Sequence, residues 1–431
     1  MVCMLETKLA AEEVTVLEAA KILGVSPDTI RRWEKKKLIR AKRSENNYRL
    51  FDLEELRRIQ NKYLGLGTKV KFEVLKSKKT EFNVIELFSG GGGMALGFEN
   101  AGLKTKLLVE IDKNSVNTLK ENRPRWKVEH QDIAQVDFTP YKGKIDIVAG
   151  GPPCQAFSYA GHSRGFEDTR GTLFFELARC VKEVQPKIAL VENVRGLIKH
   201  DGGKTISTML RTLEDLGYKP VYRLLRAQFL DVPQKRERVV IIGVRKDLDI
   251  SAIFPKEKDY TVSIREALKD CPSSDGATYP KRKQEILKLV PPGGYWRDLP
   301  IDIQKEYMKK SFYLGGGKTG MARRLSWDEP SLTLTCSPAQ KQTERCHPEE
   351  TRPLTVREYA RIQSFPDDWL FVGSLASQYR QIGNAVPVNL AYHIGKCLIA
   401  MLRGNYNNET MLLEINANEN IQEQNLQLDL F

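Results

Sequence analysis

Asn83-Val84-Ile85-Glu86-Leu87-Phe88-Ser89-Gly90-Gly91-Gly92-Gly93, followed by Met94-Ala95-Leu96-Gly97-Phe98, decides the fold of this chain. A short apolar run, long enough for one strand, ends in four consecutive glycines, and helical spacing begins at once. Glycines at a strand-to-helix turn let a ligand come close to the backbone. Working outward, the same rhythm repeats. Strands are predicted at 84–88, 106–111, 145–149 and 188–192, and helices at 94–101, 113–122, 172–184 and 205–216. Val239-Val240-Ile241-Ile242-Gly243 reads as a further buried strand. Strand–helix alternation of this kind predicts an α/β, doubly wound, Rossmann-like and mostly parallel sheet.

Such sheets bind ligands beyond the carboxyl ends of their strands, and several chemically able residues fall there. Glu110 follows Gly90 by twenty residues, where an acid can bond ribose hydroxyls. His130-Gln131-Asp132-Ile133 ends the third strand, with Asp132 placed to accept from an adenine amino group. Gly150-Gly151-Pro152-Pro153-Cys154-Gln155 sets a cysteine directly after Pro-Pro at a strand end, and Glu192-Asn193-Val194 closes the next strand. A buried inert thiol is the usual fate of a cysteine, but a carboxyl at the neighbouring strand end points to chemistry. A thiolate adding to carbon 6 of cytosine makes carbon 5 nucleophilic, and a carboxyl of raised pKa eases that addition by serving ring nitrogen 3. Cys154 and Glu192 fit those roles. Gln234-Lys235-Arg236-Glu237-Arg238 places two arginines on one face of an extended segment, suited to holding a nucleotide's phosphate and oxygens.

Residues 1–64 form a separate unit. Helical spacing runs from Thr15 to Leu23, and Ser26-Pro27 starts a second helix through Trp33. A basic wing spans 39–51 with Asn46-Asn47 at its tip, and Asp52 with Glu55 opens a third helix. Leu17-Glu18-Ala19-Ala20, Thr29-Ile30-Arg31-Arg32-Trp33-Glu34 and Tyr48-Arg49-Leu50-Phe51 resemble the winged helix-turn-helix of MerR-type regulators. That resemblance implies DNA contacts from Arg31, Arg32, Lys35, Lys42, Arg43 and Arg49. The charge agrees: of a net +13, residues 1–80 carry +8, from 19 Lys/Arg against 11 Asp/Glu.

The rest of the chain divides by rhythm. Residues 65–82 read as a polar linker, 83–254 as the catalytic domain, and 255–350, interrupted by Pro291-Pro292-Gly293-Gly294 and Gly315-Gly316-Gly317, as a small irregular domain. Helical periodicity returns over 351–403, and 404–431, rich in Asn, Gln and Glu, is expected to be disordered. The seven cysteines include no C-x-x-C pair, which predicts reduced thiols and neither disulfides nor a metal. A cytoplasmic protein without a membrane partner is expected.

Taken in order, Glu86-Leu87-Phe88-x-Gly90-x-Gly92-Gly93, Glu110, Gln131-Asp132-Ile133, Pro152-Pro153-Cys154-Gln155, Arg170-Gly171-x-Leu173-Phe174, Glu192-Asn193-Val194, Gln234-x-Arg236-x-Arg238, Arg352-Pro353-Leu354-Thr355-Val356-Arg357-Glu358 and Gln381-Ile382-Gly383-Asn384-Ala385-Val386-Pro387 resemble the DNA (cytosine-5)-methyltransferases of bacterial restriction–modification systems. The resemblance implies S-adenosylmethionine as methyl donor, a covalent bond from Cys154 to carbon 6, and double-stranded DNA as partner, with a monomer acting on it. It implies that Phe88 stacks on the adenine, Glu110 holds the ribose, and Asp132 and Ile133 touch the adenine. Pro153, Leu173 and Asn384 line the cofactor or cytosine pocket, Gly90, Gly91, Gly92 and Gly93 form the turn, and Arg236 and Arg238 join Cys154 and Glu192 in the catalytic set. Ile111 stands where some members carry an aromatic ring. Residues 159–171 take the place of a loop closing over the flipped cytosine, and 255–350 that of the target-recognition domain. Flipping a base out of the stack costs a few kcal/mol. Two other readings remain at this point: an RNA cytosine-5 methyltransferase, and a DNA-binding regulator on an inactive methyltransferase body. A zinc deaminase is disfavoured because Phe157 occupies the place of its second cysteine.

Overall fold

The computed structural model describes residues 13–23, 25–35, 39–44, 47–64, 70–153, 173–314 and 318–413. Its centre is a seven-stranded sheet of β1 (Asn83–Leu87), β2 (Lys104–Glu110), β3 (Val128–His130), β4 (Ile147–Gly150), β5 (Ile188–Val194), β6 (Tyr218–Arg226) and β7 (Glu237–Arg245). The spatial order is β3-β2-β1-β4-β5-β7-β6. Every neighbouring pair is parallel except those made by β7, which runs antiparallel to β5 and β6. The order reverses between β1 and β4, so the crevice beyond Leu87 and Gly150 is the topological switch point where such sheets take ligands.

Both faces of the sheet are covered, which is why its strands read as nearly continuous apolar runs. Helices Gly93–Ala101 and Val388–Arg403 bury Phe98, Leu390, Ile394 and Leu398 against one face. Helices Leu173–Val184 and Lys204–Asp215 bury Phe174, Leu177, Met209 and Leu213 against the other. The run Leu375–Arg403 is apolar enough by composition to span a membrane, but most of it is buried inside the protein and Pro387 divides it into two helices.

The N-terminal unit has its own core of Ala19, Ile30, Trp33, Phe51 and Leu56. Helices Val16–Leu23, Pro27–Lys35 and Leu53–Leu64 surround a small antiparallel sheet in which Arg49–Asp52 lies between Glu13–Thr15 and Ala41–Arg43. Two sequence features do the capping: Ser26 Oγ accepts from Thr29 N at 3.1 Å, and Asp52 Oδ1 from Glu55 N at 3.0 Å. The 281–346 region holds a further core of Leu287, Trp296, Tyr307, Met308 and Cys346 around the short helices Lys281–Lys288 and Ile301–Met308.

Two stretches differ from the sequence reading. Of the polar linker, residues 70–82 lie extended along the catalytic body, because their backbone groups find partners there. Ser77 N donates to Asn100 O at 2.7 Å, Thr80 N to Gly102 O at 2.8 Å, and Ser77 Oγ meets Tyr392 OH at 2.7 Å. Of the tail expected to be disordered from 404, Met411–Leu413 forms a strand antiparallel to Ile253–Pro255. Its polar composition hid three apolar residues that pair with Ile253–Pro255 as a separate two-stranded sheet. Asn389 fastens the first of these stretches. Fully buried, its Nδ2 donates to Glu73 O and Asp231 O, both at 2.8 Å, and its Oδ1 accepts from Leu75 N at 3.0 Å. Asn389→Ala strands all three backbone groups, and should cost roughly 1–3 kcal/mol for each one left without a substitute partner. Denaturant unfolding measures this; an unchanged midpoint would mean that the strap adds nothing to stability.

Candidate active site

The glycine turn forms because other side chains are impossible there. Gly92 has φ +86°, and a Cβ on it would lie 2.7 Å from Leu119 Cδ2 and 2.8 Å from Trp369 Cζ2. A Cβ on Gly93 would lie 2.2 Å from Val386 O. The turn thus lets the returning C-terminal segment touch the first βα unit, and a cavity of about 430 Å³ opens between them. Phe88, Gly90, Gly93, Glu110, Pro153, Glu192, Arg236, Arg238 and Asn384 all line it, brought together from stretches nearly 300 positions apart. Gly91 and Gly92 are buried beneath the turn. Ile111, Asp132, Ile133 and Leu173 fall outside the lining: Ile111 and Asp132 are exposed at strand ends, Ile133 is buried, and Leu173 is half-buried. Cys154 and the 159–171 loop lie outside the described residues.

Glu192, at the end of β5, is enclosed. Its Oε1 pairs with Arg238 Nε at 2.7 Å, across the β5–β7 ladder. Burial pushes its carboxyl above the ordinary carboxylate range, while Arg238 and Arg236 pull the other way. Gly151 makes room for it, since a Cβ there would come within 2.9 Å of Glu192 Oε2. Asn193, next in line, donates through Nδ2 to Pro152 O at 2.9 Å and so ties the Pro-Pro turn to the strand bearing Glu192. Sequence reasoning quoted Asn193 only as part of a motif; its position beside the acid was the available signal.

The two arginines have different neighbours. Arg238 lies in β7 and faces Glu192, whereas Arg236 sits in the turn before it with its side chain almost wholly buried. Its guanidinium donates to Gly383 O at 3.0 Å, Ala385 O at 3.1 Å and Leu334 O at 3.2 Å. Glu110 is similarly engaged. Its Oε2 accepts from Gly90 N at 2.7 Å, and its Oε1 from Ile111 N at 2.9 Å and Asp112 N at 2.8 Å. A carboxylate has about four lone-pair sites, so one is left for a ligand hydroxyl. Arg380, paired with Asp112 at 3.2 Å, also lines the cavity, and no sequence reasoning had singled out either residue.

On the winged helix, Arg31, Arg32 and Lys35 are exposed on the second helix. Arg31 pairs with Asp28 at 2.6 Å, Lys42 with Glu13 at 2.8 Å, and Arg49 and Arg43 share Glu34 at 2.6 and 3.7 Å. Surface pairs of this kind are worth little and exchange readily for a phosphate.

Glu86 lines the cavity as well. It is buried in the central strand, and its Oε2 has no hydrogen-bond partner. Burial raises its carboxyl well above the ordinary carboxylate range, and Glu110 nearby adds to the rise. A raised folded-state pKa means that folding takes up a proton. The contribution is fully present below the unfolded value of about 4.3 and is lost as pH rises through the folded value. Glu86→Gln should therefore leave stability unchanged near pH 4 and raise the thermal midpoint near about pH 8, measured without ligand. An equal shift at both pH values would show that Glu86 is not held protonated.

Comparison with known proteins bears on what this arrangement does. Residues 82–400 match the C-5 cytosine-specific DNA methylase profile, and residues 15–51 match the MerR family of regulatory proteins. The chain is 57% identical over 404 residues to the Type II methyltransferase M.Eco47II of Escherichia coli, covering 91% of this chain and 96% of that one. It is 59% identical over 340 residues to the Type II methyltransferase M.PspPI of Psychrobacter sp. (strain TA137), covering 77% and 82%. Among solved structures, an E. coli prophage protein assigned as a DNA modification methyltransferase superposes with a TM-score of 0.56 at 26% identity, over 75% of this chain and 100% of its own. With a switch-point cavity walled by Glu192 and Arg238, and a profile matching most of its length, the chain belongs to the C-5 cytosine-specific DNA methylase family.

Proposed function

We propose that the cavity receives a cytosine rotated out of duplex DNA, with Cys154 as nucleophile and Glu192 as the acid that serves ring nitrogen 3. The observation that carries this reading is Glu192 itself. It is a buried carboxyl with raised pKa, paired with Arg238 at 2.7 Å, on a wall that includes Pro152-Pro153, the residues leading directly into Cys154. A group that must hold a proton at neutral pH and yet interact with a developing charge needs that combination.

The Cys154 thiolate adds to carbon 6, and the ring electrons move onto carbon 5 as Glu192 shares its proton with nitrogen 3. Carbon 5 then takes the methyl group, which would come from the sulfonium sulfur of S-adenosylmethionine and leave S-adenosylhomocysteine. Loss of the carbon-5 proton restores the double bond, and the thiolate leaves. Arg238 holds Glu192 in position. Arg236 braces the wall.

Cytosine-5 DNA methyltransferases use S-adenosylmethionine, which supplies an electrophilic methyl group. The residues present fit it. Glu86 offers a buried oxygen with no partner, suited to a cationic ligand, the glycine turn admits a close approach, and Glu110 keeps a free lone pair. Phe88, Gly90, Gly91, Gly92, Gly93, Glu110, Pro153 and Asn384 would hold it, with Ile111, Asp132, Ile133 and Leu173 around the adenine. On the likeness to Type II methyltransferases, we assign the chain to the modification arm of a bacterial restriction–modification system, acting in the cytoplasm. Residues 255–350 would read the sequence, and the winged helix would grip phosphates through Arg31, Arg32, Lys35, Lys42, Arg43 and Arg49.

Glu192→Gln keeps the shape but cannot give a proton, and should slow methyl transfer by roughly 10²–10⁴-fold while leaving cofactor affinity unchanged. Unaltered turnover would remove Glu192 from the chemistry. Cys154 is tested by a trap. Fluorine at carbon 5 cannot leave as a cation, so duplex DNA with 5-fluorocytosine in place of cytosine should stop the reaction as a denaturant-stable adduct. Peptide mapping should find the nucleotide on Cys154 alone. Cys154→Ser should form no adduct, its hydroxyl being far less ionised at neutral pH. An adduct on another cysteine, or methylation by Cys154→Ser at the unaltered rate, would refute the mechanism.

A further inference from the structure

Away from the cavity, the small domain of residues 281–346 carries a cluster of lysines that the proposed chemistry does not use. Lys283, Lys309 and Lys341 are close enough that Lys341 is driven below the ordinary lysine range, first by burial and then by the other two ammoniums. Lys341 donates to Tyr307 O and lies 4.4 Å from the centre of the Tyr307 ring. Lys283 is neutralised by the buried Glu344, and it also donates to Ala339 O at 2.7 Å. The nearby acids of the two helices, Glu285 and Glu306, are occupied by Arg282. Among the described residues no carboxylate pairs with Lys309, Lys310 or Lys341, and all three are exposed. Lys309 has φ +51° at the end of helix Ile301–Met308, a left-handed backbone conformation that strains a non-glycine residue. Like charges gathered at a strained turn, with the nearby acid Glu344 already committed to Lys283, call for an anion from outside.

The cluster is also tied to the cavity by a short piece of chain. Cys336 donates to Asn384 Oδ1 at 2.9 Å, at the cavity's edge, and Lys341 comes five residues later. Five residues span at most about 18 Å, even fully extended. A duplex that delivers a base into the cavity has phosphates within that distance, since it carries one charge per roughly 1.7 Å of axis and its wide groove measures about 12 Å.

We infer that Lys309, Lys310 and Lys341 form a clamp on the DNA backbone, fixing the duplex beside the cavity without reading its sequence. The inference rests on the duplex-DNA reading above. Contacts to phosphate set register and affinity, whereas base edges set specificity. Lys283, already neutralised by Glu344, supports the clamp from below.

The test uses the full-length protein, duplex DNA containing its methylation site, and a salt series. Lys309→Ala and Lys341→Ala, alone and together, should each weaken binding about eightfold at 0.1 M salt and lower the salt slope by about 0.9 per contact. Turnover at saturating DNA and the methylated sequence should not change. Lys309→Arg and Lys341→Arg should restore the slope, and thermal melts should show the alanine variants folded. An unaltered slope in folded alanine variants overturns the clamp, as does an equal loss in the arginine variants, which would make the lysines structural. A changed methylation site would make them base readers instead. If the unsubstituted protein binds duplex DNA without salt dependence, the duplex reading and the clamp fail together.

Discussion

One buried guanidinium holds the molecule's separate parts around a single cavity. Arg236 is nearly inaccessible, yet it donates to carbonyls of Gly383, Ala385 and Leu334, which belong to two stretches that the chain reaches only 98 to 149 residues later. Gln234 and Gln363 complete the junction: Gln234 Nε2 donates to Gln363 Oε1 at 2.8 Å, and Gln363 Nε2 to Ile382 O at 2.6 Å. Burying a cation is costly unless its donors are satisfied, and one of them, Nε, has no partner. Such a group is better at specifying an arrangement than at stabilising it. Without it, the segment bearing Asn384 would lose the anchor that holds it against the glycine turn.

That arrangement explains what could and could not be read from sequence. The glycine turn, Glu110, Glu192 and the strand–helix alternation were legible because each is a local pattern. Glycine is required where Gly93 meets Val386 O, and an acid at a strand end is visible as such. The role of Arg236 was not legible. Its alternation with Arg238 suggested two equivalent side chains, but what distinguishes them is a set of backbone carbonyls contributed from far away. Glu86 was hidden for a related reason: in sequence it is one residue of an apolar strand, and only the fold reveals that it opens on a cavity without a partner.

The edges of the catalytic body were misread in a consistent way. Residues 70–82 and 411–413 have polar surroundings, so composition argued for a linker and for disorder. Both are ordered by backbone hydrogen bonds, which composition does not record: Asn389 and Gly102 anchor the first, and Ile253–Pro255 anchors the second. Where a segment's partners are main-chain atoms, its own side chains say little about whether it folds. The winged helix shows the opposite case. It has a self-contained core around Trp33 and Phe51, and its periodicity, capping residues and MerR-like motifs were enough to draw it.

Brace and acid are electrostatically one device. Arg236 lies close enough to Glu192 to lower its carboxyl, as Arg238 does, while enclosure by the same walls raises it. The carboxyl is therefore set by two opposed consequences of one act of packing: closing the cavity desolvates Glu192 and at the same time brings up the cations that moderate the effect. For an acid that must keep its proton until a base arrives, this coupling has an advantage. While the cavity is open to water the desolvation is incomplete, and the group reverts toward an ordinary carboxylate. Only the assembled wall, in which Arg236 joins residues from both halves of the chain, raises the Glu192 carboxyl above its ordinary range, as the proposed chemistry requires. The long separation in sequence between Glu192 and the 383–385 carbonyls thus links the completeness of the fold to the charge state of the residue proposed to do the chemistry.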